Sequence, residues 1–208
     1  DISYNYDGGQ FGLGRLQSVS RDDVSTGYEY DAFGNTIRMK RTVNQEIFIT
    51  SYKYDLSGKV TSSLAPNDVG TEYSYNQVGQ LETLDVVFRD KSRHPVIFDK
   101  EYNAAFQTMR TQFGSGLNSD YSYDFNQRLI HKNSTHYGSM LQSLDYEYDS
   151  VGNILQLREN APTMLNRQVM YSYDDLDRLQ TAGGPSYNHT YSYDPIGNIR
   201  VMADGGIY

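Results

Sequence analysis

Pairs of tyrosines separated by one polar residue recur along the chain and set its hydrophobic pattern. The stretches "YEYDAFGNTI" from Tyr28, "YEYDSVGNIL" from Tyr146 and "YSYDPIGNIR" from Tyr191 share the pattern Tyr-x-Tyr-Asp-x-x-Gly. Side chains two residues apart lie on the same face of a β-strand, whereas a helix would scatter them. The residue between the tyrosines is polar in all eight full copies. The pattern therefore predicts a half-buried strand whose opposite face is wetter.

The Asp-x-x-Gly segment predicts a turn directly after each strand. Asp at the first position of a type I turn accepts backbone hydrogen bonds, and Gly readily takes a positive φ after the turn. Beyond the glycine, apolar residues alternate again, as at Ile199 and Val201. Each copy therefore predicts a β-hairpin.

The copies recur at intervals of 20 to 27 residues, and a degenerate ninth copy surrounds Tyr102. Periods of roughly 20 to 50 residues are typical of arrays in which each unit buries its apolar face against its neighbours. We expect residues 1–208 to form a single array of about nine repeats that is a piece of a longer protein. The structural motif residues are Tyr4, Tyr6, Asp7, Tyr28, Tyr30, Asp31, Gly34, Tyr52, Tyr54, Asp55, Gly58, Tyr73, Tyr75, Gly79, Tyr121, Tyr123, Asp124, Tyr146, Tyr148, Asp149, Gly152, Tyr171, Tyr173, Asp174, Tyr191, Tyr193, Asp194 and Gly197.

Some copies depart from the pattern. Gln127 occupies a glycine position, and because Gln tolerates the left-handed region less well than Asn or Asp, its turn is predicted to differ in type. The first copy contains the insertion "DGGQFGLGRL" from Asp7 to Leu16, which predicts a longer turn.

Hairpins joined edge to edge would form a sheet of about 18 strands. Right-handed twist accumulates in such a sheet, so it does not stay flat. We therefore expect an all-β fold in which tandem antiparallel hairpins form a curved or spiralling sheet.

Composition limits the partners that the chain can bind. The formal net charge of -8 makes nucleic acid a poor partner, because binding to phosphate backbones depends on Lys and Arg. The apolar runs are too short for a membrane span. The chain has no cysteine, which excludes disulfides and thiolate metal sites, while 20 Tyr and 8 Phe supply rings that can be buried in place of aliphatic side chains.

The repeated carboxylates and the histidines are the candidate chemical sites of the chain. Calcium needs six to eight oxygen ligands, whereas these Asp residues recur singly beside tyrosines, so turn capping is favoured. The four histidines, His94, His131, His136 and His189, are dispersed. No Ser or Thr lies in a recognisable nucleophile context. We therefore expect no catalytic residue, no cofactor and no metal.

The motifs "YEYDAFGNTI", "YSYNQVGQL", "YEYDSVGNIL", "YSYDDLDRL" and "YSYDPIGNIR" resemble the YD repeats of Rhs-type proteins. That family includes the B and C components of bacterial insecticidal toxin complexes and, more distantly, the teneurins of animals. The resemblance implies that the repeats spiral into a hollow β-shell, which in bacterial members encloses a toxic C-terminal domain released by internal aspartyl self-cleavage. The segment "DPIG" from Asp194 to Gly197 resembles a motif of the Rhs core, but it occupies an ordinary repeat turn and no catalytic role is carried over to it.

The resulting expectation is a non-enzymatic segment of a β-shell that encloses and shields a toxin or effector. Its partners would be the rest of the parent shell polypeptide and the enclosed toxin, and the isolated chain would self-associate through its edge strands. The parent would be secreted or at the cell surface, although this chain carries no signal peptide. The alternative is an extracellular adhesion or carbohydrate-binding module in which tyrosine faces stack on glycans.

Overall fold

A computed structural model describes residues 1–162, 164–185 and 187–204, including their side chains except those of Met164, Leu165 and Asp204. The regular secondary structure in these ranges consists of β-strands alone. The chain divides into two compact units, Asp1–Asp99 and Lys100–Tyr208. Because the described residues contain no helix, none is long and apolar enough to cross a membrane.

Nine strands begin in the first unit and nine in the second. The first set is β1 (Ser3–Tyr6), β2 (Leu16–Arg21), β3 (Val24–Tyr30), β4 (Thr36–Val43), β5 (Glu46–Tyr54), β6 (Val60–Leu64), β7 (Gly70–Tyr75), β8 (Leu81–Val87) and β9 (Arg93–Tyr102), which carries the chain into the second unit. The second set is β10 (Thr108–Phe113), β11 (Leu117–Tyr123), β12 (Leu129–His136), β13 (Ser139–Tyr148), β14 (Ile154–Ala161), β15 (Met164–Tyr173), β16 (Leu179–Gly184), β17 (Tyr187–Tyr193) and β18 (Ile199–Asp204).

Within each unit, every strand pairs antiparallel with the next strand along the chain. The pairing runs from β1 to β9 in the first unit. It runs from β10 to β18 in the second. The all-β class of tandem antiparallel hairpins predicted from the sequence is confirmed.

Each full repeat has a β-bulge at its second tyrosine. In the second repeat, Glu29 faces Arg38 whereas Tyr30 faces Thr36, so the return strand has one extra residue. The same register shift immediately precedes the second tyrosine in the other seven full repeats. A bulge increases local twist and redirects the strand end, so the second tyrosine of each full repeat lies beside the same backbone irregularity.

The sheet has little apolar core. Among the described side chains, the buried hydrophobic residues are Val169 and Ala182. The total accessible surface is 14149 Å². A compact protein of this mass would expose about 9,800 Å², and even two separate compact halves only about 11,900 Å². The motif tyrosines from Tyr28 to Tyr193 are half-buried as predicted, whereas Tyr4 and Tyr6 in the first repeat are exposed, which corrects the expectation for that copy.

Two turns have sequences that depart from the common motif, and a prediction was attached to each. The first repeat has the predicted long turn, since β1 ends at Tyr6 and β2 begins at Leu16. The Gln127 turn, in contrast, does not differ from the others. Gln127 has a φ of 64° and donates its amide hydrogen to the Asp124 carbonyl at 2.9 Å, as glycine does elsewhere. The closed turn therefore holds Gln127 in the left-handed region, at a cost of about 1 to 2 kcal/mol.

Candidate functional site at the repeat junctions

Two backbone hydrogen bonds close the turn in seven of the repeats. In the second repeat, the Asp31 amide donates to the Asn35 carbonyl at 3.0 Å, and the Gly34 amide donates to the Asp31 carbonyl at 3.1 Å. Gly34 has a φ of 92°, a value that favours glycine. The same pair of bonds is made from Asp55, Asn76, Asn103, Asp124, Asp174 and Asp194.

The carboxylate of the motif Asp binds inside its own turn. Oδ1 of Asp31 accepts hydrogen bonds from the backbone amides of Phe33 and Asn35, both at 2.9 Å. Oδ2 accepts a bond from the Asn35 side-chain amide, also at 2.9 Å. Both oxygens are therefore engaged by the turn, which supports capping rather than calcium binding as the role of this residue.

These hydrogen bonds stabilise the ionised carboxylate. The side-chain amide of Asn35 lowers the pKa of Asp31, and that of Asn198 lowers the pKa of Asp194. The backbone amide of Arg128 lowers the pKa of Asp124. Partial desolvation opposes the shift in each case without reversing it.

The structure adds a fifth motif position that the sequence pattern did not reveal, the residue directly after the glycine position, which we call the post-turn residue. Its side chain bonds the motif Asp or Asn in most repeats: Arg128 Nε donates to Asp124 Oδ2 at 2.7 Å, and Asn153 Nδ2 donates to Asp149 Oδ2 at 3.0 Å. The available signal was that, in the eight repeats after the first, the position holds a polar side chain with an N–H donor group. Its occupants are Asn35, Lys59, Gln80, Gln107, Arg128, Asn153, Arg178 and Asn198.

The second tyrosine fastens each repeat to the one before it. The Tyr148 hydroxyl donates to the backbone carbonyl of Leu129, the first residue of the preceding return strand, at 2.7 Å. We call this contact between consecutive repeats a junction. Seven junctions share this bond, with oxygen to oxygen distances of 2.7 to 2.9 Å. The donors are Tyr30, Tyr54, Tyr75, Tyr123, Tyr148, Tyr173 and Tyr193.

Burial at the junction also changes the acidity of these tyrosines. Desolvation raises the pKa of Tyr54, Tyr75, Tyr123, Tyr148 and Tyr173 above the usual 10.0. A neutral phenol is the form that donates to a carbonyl, so the raised pKa and the hydrogen bond favour the same state.

Cationic post-turn residues extend across the junction. The Arg128 guanidinium carbon lies 4.7 Å from the centre of the Tyr148 ring, and its Nη1 donates to the Asp149 carbonyl of the next repeat at 2.9 Å. Arg178 lies 4.6 Å from the Tyr193 ring centre. Two further cations, Lys59 over Tyr75 and Arg15 over Tyr30, lie 5.5 and 5.7 Å away. At Arg128 and Arg178, the cation–π interaction is combined with a charge-assisted hydrogen bond to the next repeat.

The first tyrosine of the motif has a different role. In the described residues, no first tyrosine makes the hydroxyl bond of a junction; Tyr146 instead stacks on Tyr148 with ring centres 6.4 Å apart. The junction bond therefore distinguishes the second tyrosine of the motif from the first, a difference that the alternating pattern alone did not reveal.

The histidines do not come together. On β12, His131 Nδ1 lies 2.7 Å from Asp145 Oδ1, whereas His136 Nε2 lies 3.1 Å from the Ser115 carbonyl. Within the part of the chain that the structure describes, no three His, Cys, Asp or Glu side chains are grouped for metal binding.

This geometry can be compared with known proteins. No protein-family model matches the chain. The chain is 28% identical over 195 residues to the toxin subunit YenC2 of Yersinia entomophaga, a match that covers 74% of the chain and 20% of YenC2. It is 22% identical over 171 residues to the double-stranded DNA deaminase toxin A of Burkholderia cenocepacia, covering 76% of the chain and 11% of that toxin. The fold is similar to that in the crystal structure of TcdB2-TccC3, with a TM-score of 0.89 at 20% identity. This match covers 99% of the present chain and 13% of the chain in that crystal structure.

We call this chain the YD array, because its Tyr-x-Tyr-Asp repeats resemble the YD repeats of Rhs-type proteins. The YD array has the fold found in TcdB2-TccC3, and its motif residues form turns and junctions that link one hairpin to the next. The array spans a fifth of YenC2 and 13% of the TcdB2-TccC3 chain that it matches.

Proposed function

We propose that this YD array is a structural segment of a β-shell, without enzymatic activity of its own, that encloses and shields a toxin or effector polypeptide. The observation that carries the proposal is a sheet with little apolar core whose repeats are linked by regular junctions. Among the described side chains, the buried hydrophobic residues are Val169 and Ala182. Seven junctions nevertheless bond a repeat to the one before it. Such a sheet is suited to separating two compartments rather than to forming a compact domain.

The physical basis of shielding is continuity. Antiparallel pairing satisfies the backbone groups from strand to strand, so an enclosed polypeptide meets no unpaired backbone within the sheet. The junction bonds resist opening between consecutive repeats. A cavity lined by such a sheet holds a chain without a specific ligand pocket.

The name of one relative suggests an enzyme, but the residues of that chemistry are absent from this chain. Zinc-dependent nucleobase deaminases use a Cys-x-x-Cys signature for the metal. The YD array has no cysteine and matches only 11% of the deaminase toxin. The match supports shared repeats, and we assign the catalysis of that relative to parts outside the match.

The partners follow from the shell role. We propose that residues 1–208 form one array of about nine repeats, that its neighbours are other segments of a parent shell, and that its cargo is a toxin polypeptide. The toxin subunits among its relatives also support a secreted or cell-surface parent. The glycan-binding alternative gains no support, because the second tyrosines use their hydroxyls and part of their rings in junctions.

Limited proteolysis of the parent protein tests the proposal. If the repeats enclose a cargo, the cargo remains intact at protease concentrations that digest it when it is expressed alone. Weakening several junctions together, with Tyr54→Phe, Tyr148→Phe and Tyr173→Phe, should expose it to cleavage. Matched Tyr→Phe changes at the first tyrosines Tyr52, Tyr146 and Tyr171 should preserve protection. Equal cleavage of free and parent-borne cargo would disprove enclosure.

A further inference from the structure

Gly27 interrupts a regular row of side chains in the repeats. The position three residues before the second tyrosine carries a side chain in the other seven full repeats, where it is Ser3, Ser51, Glu72, Asp120, Asp145, Met170 or Thr190. Gly27 does not have a positive φ, and a Cβ built on it would lie 3.8 Å from the Gln17 carbonyl oxygen, which is an ordinary contact. Neither backbone conformation nor packing therefore requires glycine here, although glycine weakens the interior of a strand.

The missing side chain leaves a cavity of about 480 Å³, which we call the Gly27 hollow. Ser18 faces Gly27 on one side and Lys40 faces it on the other, so the three positions form one row across β2, β3 and β4. Glu29 lies two residues after Gly27 and therefore on the same face of β3. The lining residues lie between Gly8 and Lys40, within the first unit. The volume is that of a small-molecule site.

The insertion of the first repeat reaches the same cavity. Residues 8–10 of the insertion line the Gly27 hollow. Gly8 packs so closely on the Gln17 side chain that a Cβ on Gly8 would lie 2.0 Å from it. The insertion is also held by a bond of its own, since the Gly14 amide donates to Asp7 Oδ1 at 2.5 Å. Two departures from the repeat pattern, an inserted loop and a missing side chain, therefore meet at one place.

Lys40 supplies the unmatched charge of the Gly27 hollow. Glu29 Oε1 accepts a hydrogen bond from Arg38 Nη1 at 3.3 Å, so that carboxylate already has a cationic partner. Lys40, in contrast, makes no ion pair with another residue that the structure describes. Ser18 Oγ accepts a bond from Asn5 Nδ2 at 3.2 Å, which leaves its hydroxyl hydrogen to donate.

We propose that the Gly27 hollow binds a small hydroxylated monocarboxylate, whose carboxylate contacts Lys40. One cation without a partner matches one negative charge. The side-chain amides of Gln10 and Gln17 line the hollow and, with the Ser18 hydroxyl, can donate to and accept from the hydroxyl groups of the ligand. A ligand of this size should bind with a dissociation constant on the order of 1 mM. The inference concerns one face of the first unit and does not depend on the shell function.

Titration of the isotope-labelled 208-residue chain with sodium D-gluconate, followed by amide NMR shifts, tests the site. Saturable shifts should be confined to residues 8–10, the region around Gly27 and Lys40. D-Sorbitol, the uncharged polyol of the same carbon number, should bind about 5-fold or more weakly because it lacks the carboxylate. Sodium chloride at the same ionic strength should cause no saturable shift at these amides. Equal binding of gluconate and sorbitol, or the absence of saturable shifts with gluconate, would overturn the proposal.

Two variants and one control locate the ligand. Lys40→Met should weaken gluconate binding about 5-fold or more, because it removes the ammonium group. Gly27→Val fills the hollow with a side chain isosteric with Thr190 at the equivalent position, and should abolish binding without lowering the melting temperature.

Arg41→Met is the matched control, because it removes the neighbouring cation on the opposite face of β4 and should leave gluconate binding unchanged. Equal losses in Lys40→Met and Arg41→Met would show general attraction of anions and contradict a site at the Gly27 hollow. Unchanged binding by folded Gly27→Val protein would also contradict it. Each of these outcomes leaves the proteolysis test of the shell unaffected.

Discussion

The hydroxyl of Tyr148 donates to the carbonyl of Leu129, 2.7 Å away, and Leu129 also faces Tyr123 across its own hairpin. One backbone residue thus lies opposite the second tyrosine of its own repeat and binds that of the next. Because six other junctions repeat the hydroxyl bond, the stability of the array should depend on this contact more than on a central core.

Removing one junction hydroxyl should weaken the fold measurably. Tyr148→Phe keeps the ring but leaves the Leu129 carbonyl without its donor, so the free energy of unfolding should fall by about 0.5 to 1.5 kcal/mol. Tyr146→Phe is the control, since that hydroxyl makes no junction bond. Urea denaturation followed by circular dichroism measures both. Equal losses in the two variants would show that the hydroxyl bond contributes nothing specific.

The cationic post-turn residue should contribute more than an exposed ion pair. Arg128→Met removes the bonds to Asp124 and to the Asp149 carbonyl and the contact with the Tyr148 ring. We expect the free energy of unfolding to fall by about 1 kcal/mol or more. Arg158→Met, which breaks the exposed pair with Glu147, should cost less than about 0.5 kcal/mol. The reverse ranking in urea denaturation would contradict the junction role of Arg128.

Relieving the left-handed strain at Gln127 should stabilise the chain. Gln127→Gly keeps the backbone bonds of the turn and removes the Cβ that disfavours a φ of 64°, so the free energy of unfolding should rise by about 1 kcal/mol. Asn126→Gly, one residue earlier and not at positive φ, should destabilise because glycine only adds freedom to the unfolded chain there. Thermal melting separates the two. A lower melting temperature for Gln127→Gly would mean that the Gln side chain contributes contacts that exceed the strain.

Acid should destabilise the turns. The folded-state pKa of Asp31 lies below the usual 3.8, so its contribution is present above that value and is lost as the pH falls through the folded pKa. Asp55, Asp124, Asp174 and Asp194 shift in the same direction. Stability should therefore decline as the pH is lowered from about 5 to about 2.

The matched variant for the acid effect is Asp31→Asn. Asn76 already occupies the same turn position, where its Oδ1 accepts the Val78 and Gln80 amides at 3.1 and 2.9 Å. The variant should retain the turn while reducing the pH dependence of stability. An unchanged pH dependence would show that the Asp31 carboxylate is not linked to folding.

Alkali should destabilise the junctions. Burial raises the folded-state pKa of Tyr148, so its contribution is fully present below the unfolded value near 10.0 and is lost as the pH rises through the folded pKa. Stability should hold up to about pH 10 and fall above it. Tyrosinate absorbance during a pH titration measures this directly. Ionisation of every tyrosine at its ordinary pKa in the folded chain would contradict junction burial.

The sequence predicted the hairpins because their determinants are local. Alternation around Tyr28 and Tyr30 requires an extended strand, and Asp31 followed by Gly34 requires a turn, so no distant contact was needed to see either. The Gln127 prediction failed because the hydrogen bonding of the whole turn outweighs the conformational preference of one residue. The backbone bonds of the Asp124 turn override the local preference of Gln.

The junction could not be predicted from the motif alone. Which tyrosine of a pair bonds the previous repeat depends on the bulge at Tyr148 and on the path of the preceding return strand at Leu129. The post-turn residue was overlooked because its identity varies between Asn, Gln, Lys and Arg. These residue types differ from one another, but each side chain has an N–H donor group.

Electron microscopy of the parent protein that contains this array tests the central claim most directly. If the YD array is part of a shell, the parent should appear as a closed hollow particle, with the repeats in its wall and additional density inside. An open rod, or a compact particle without an internal cavity, would contradict the account.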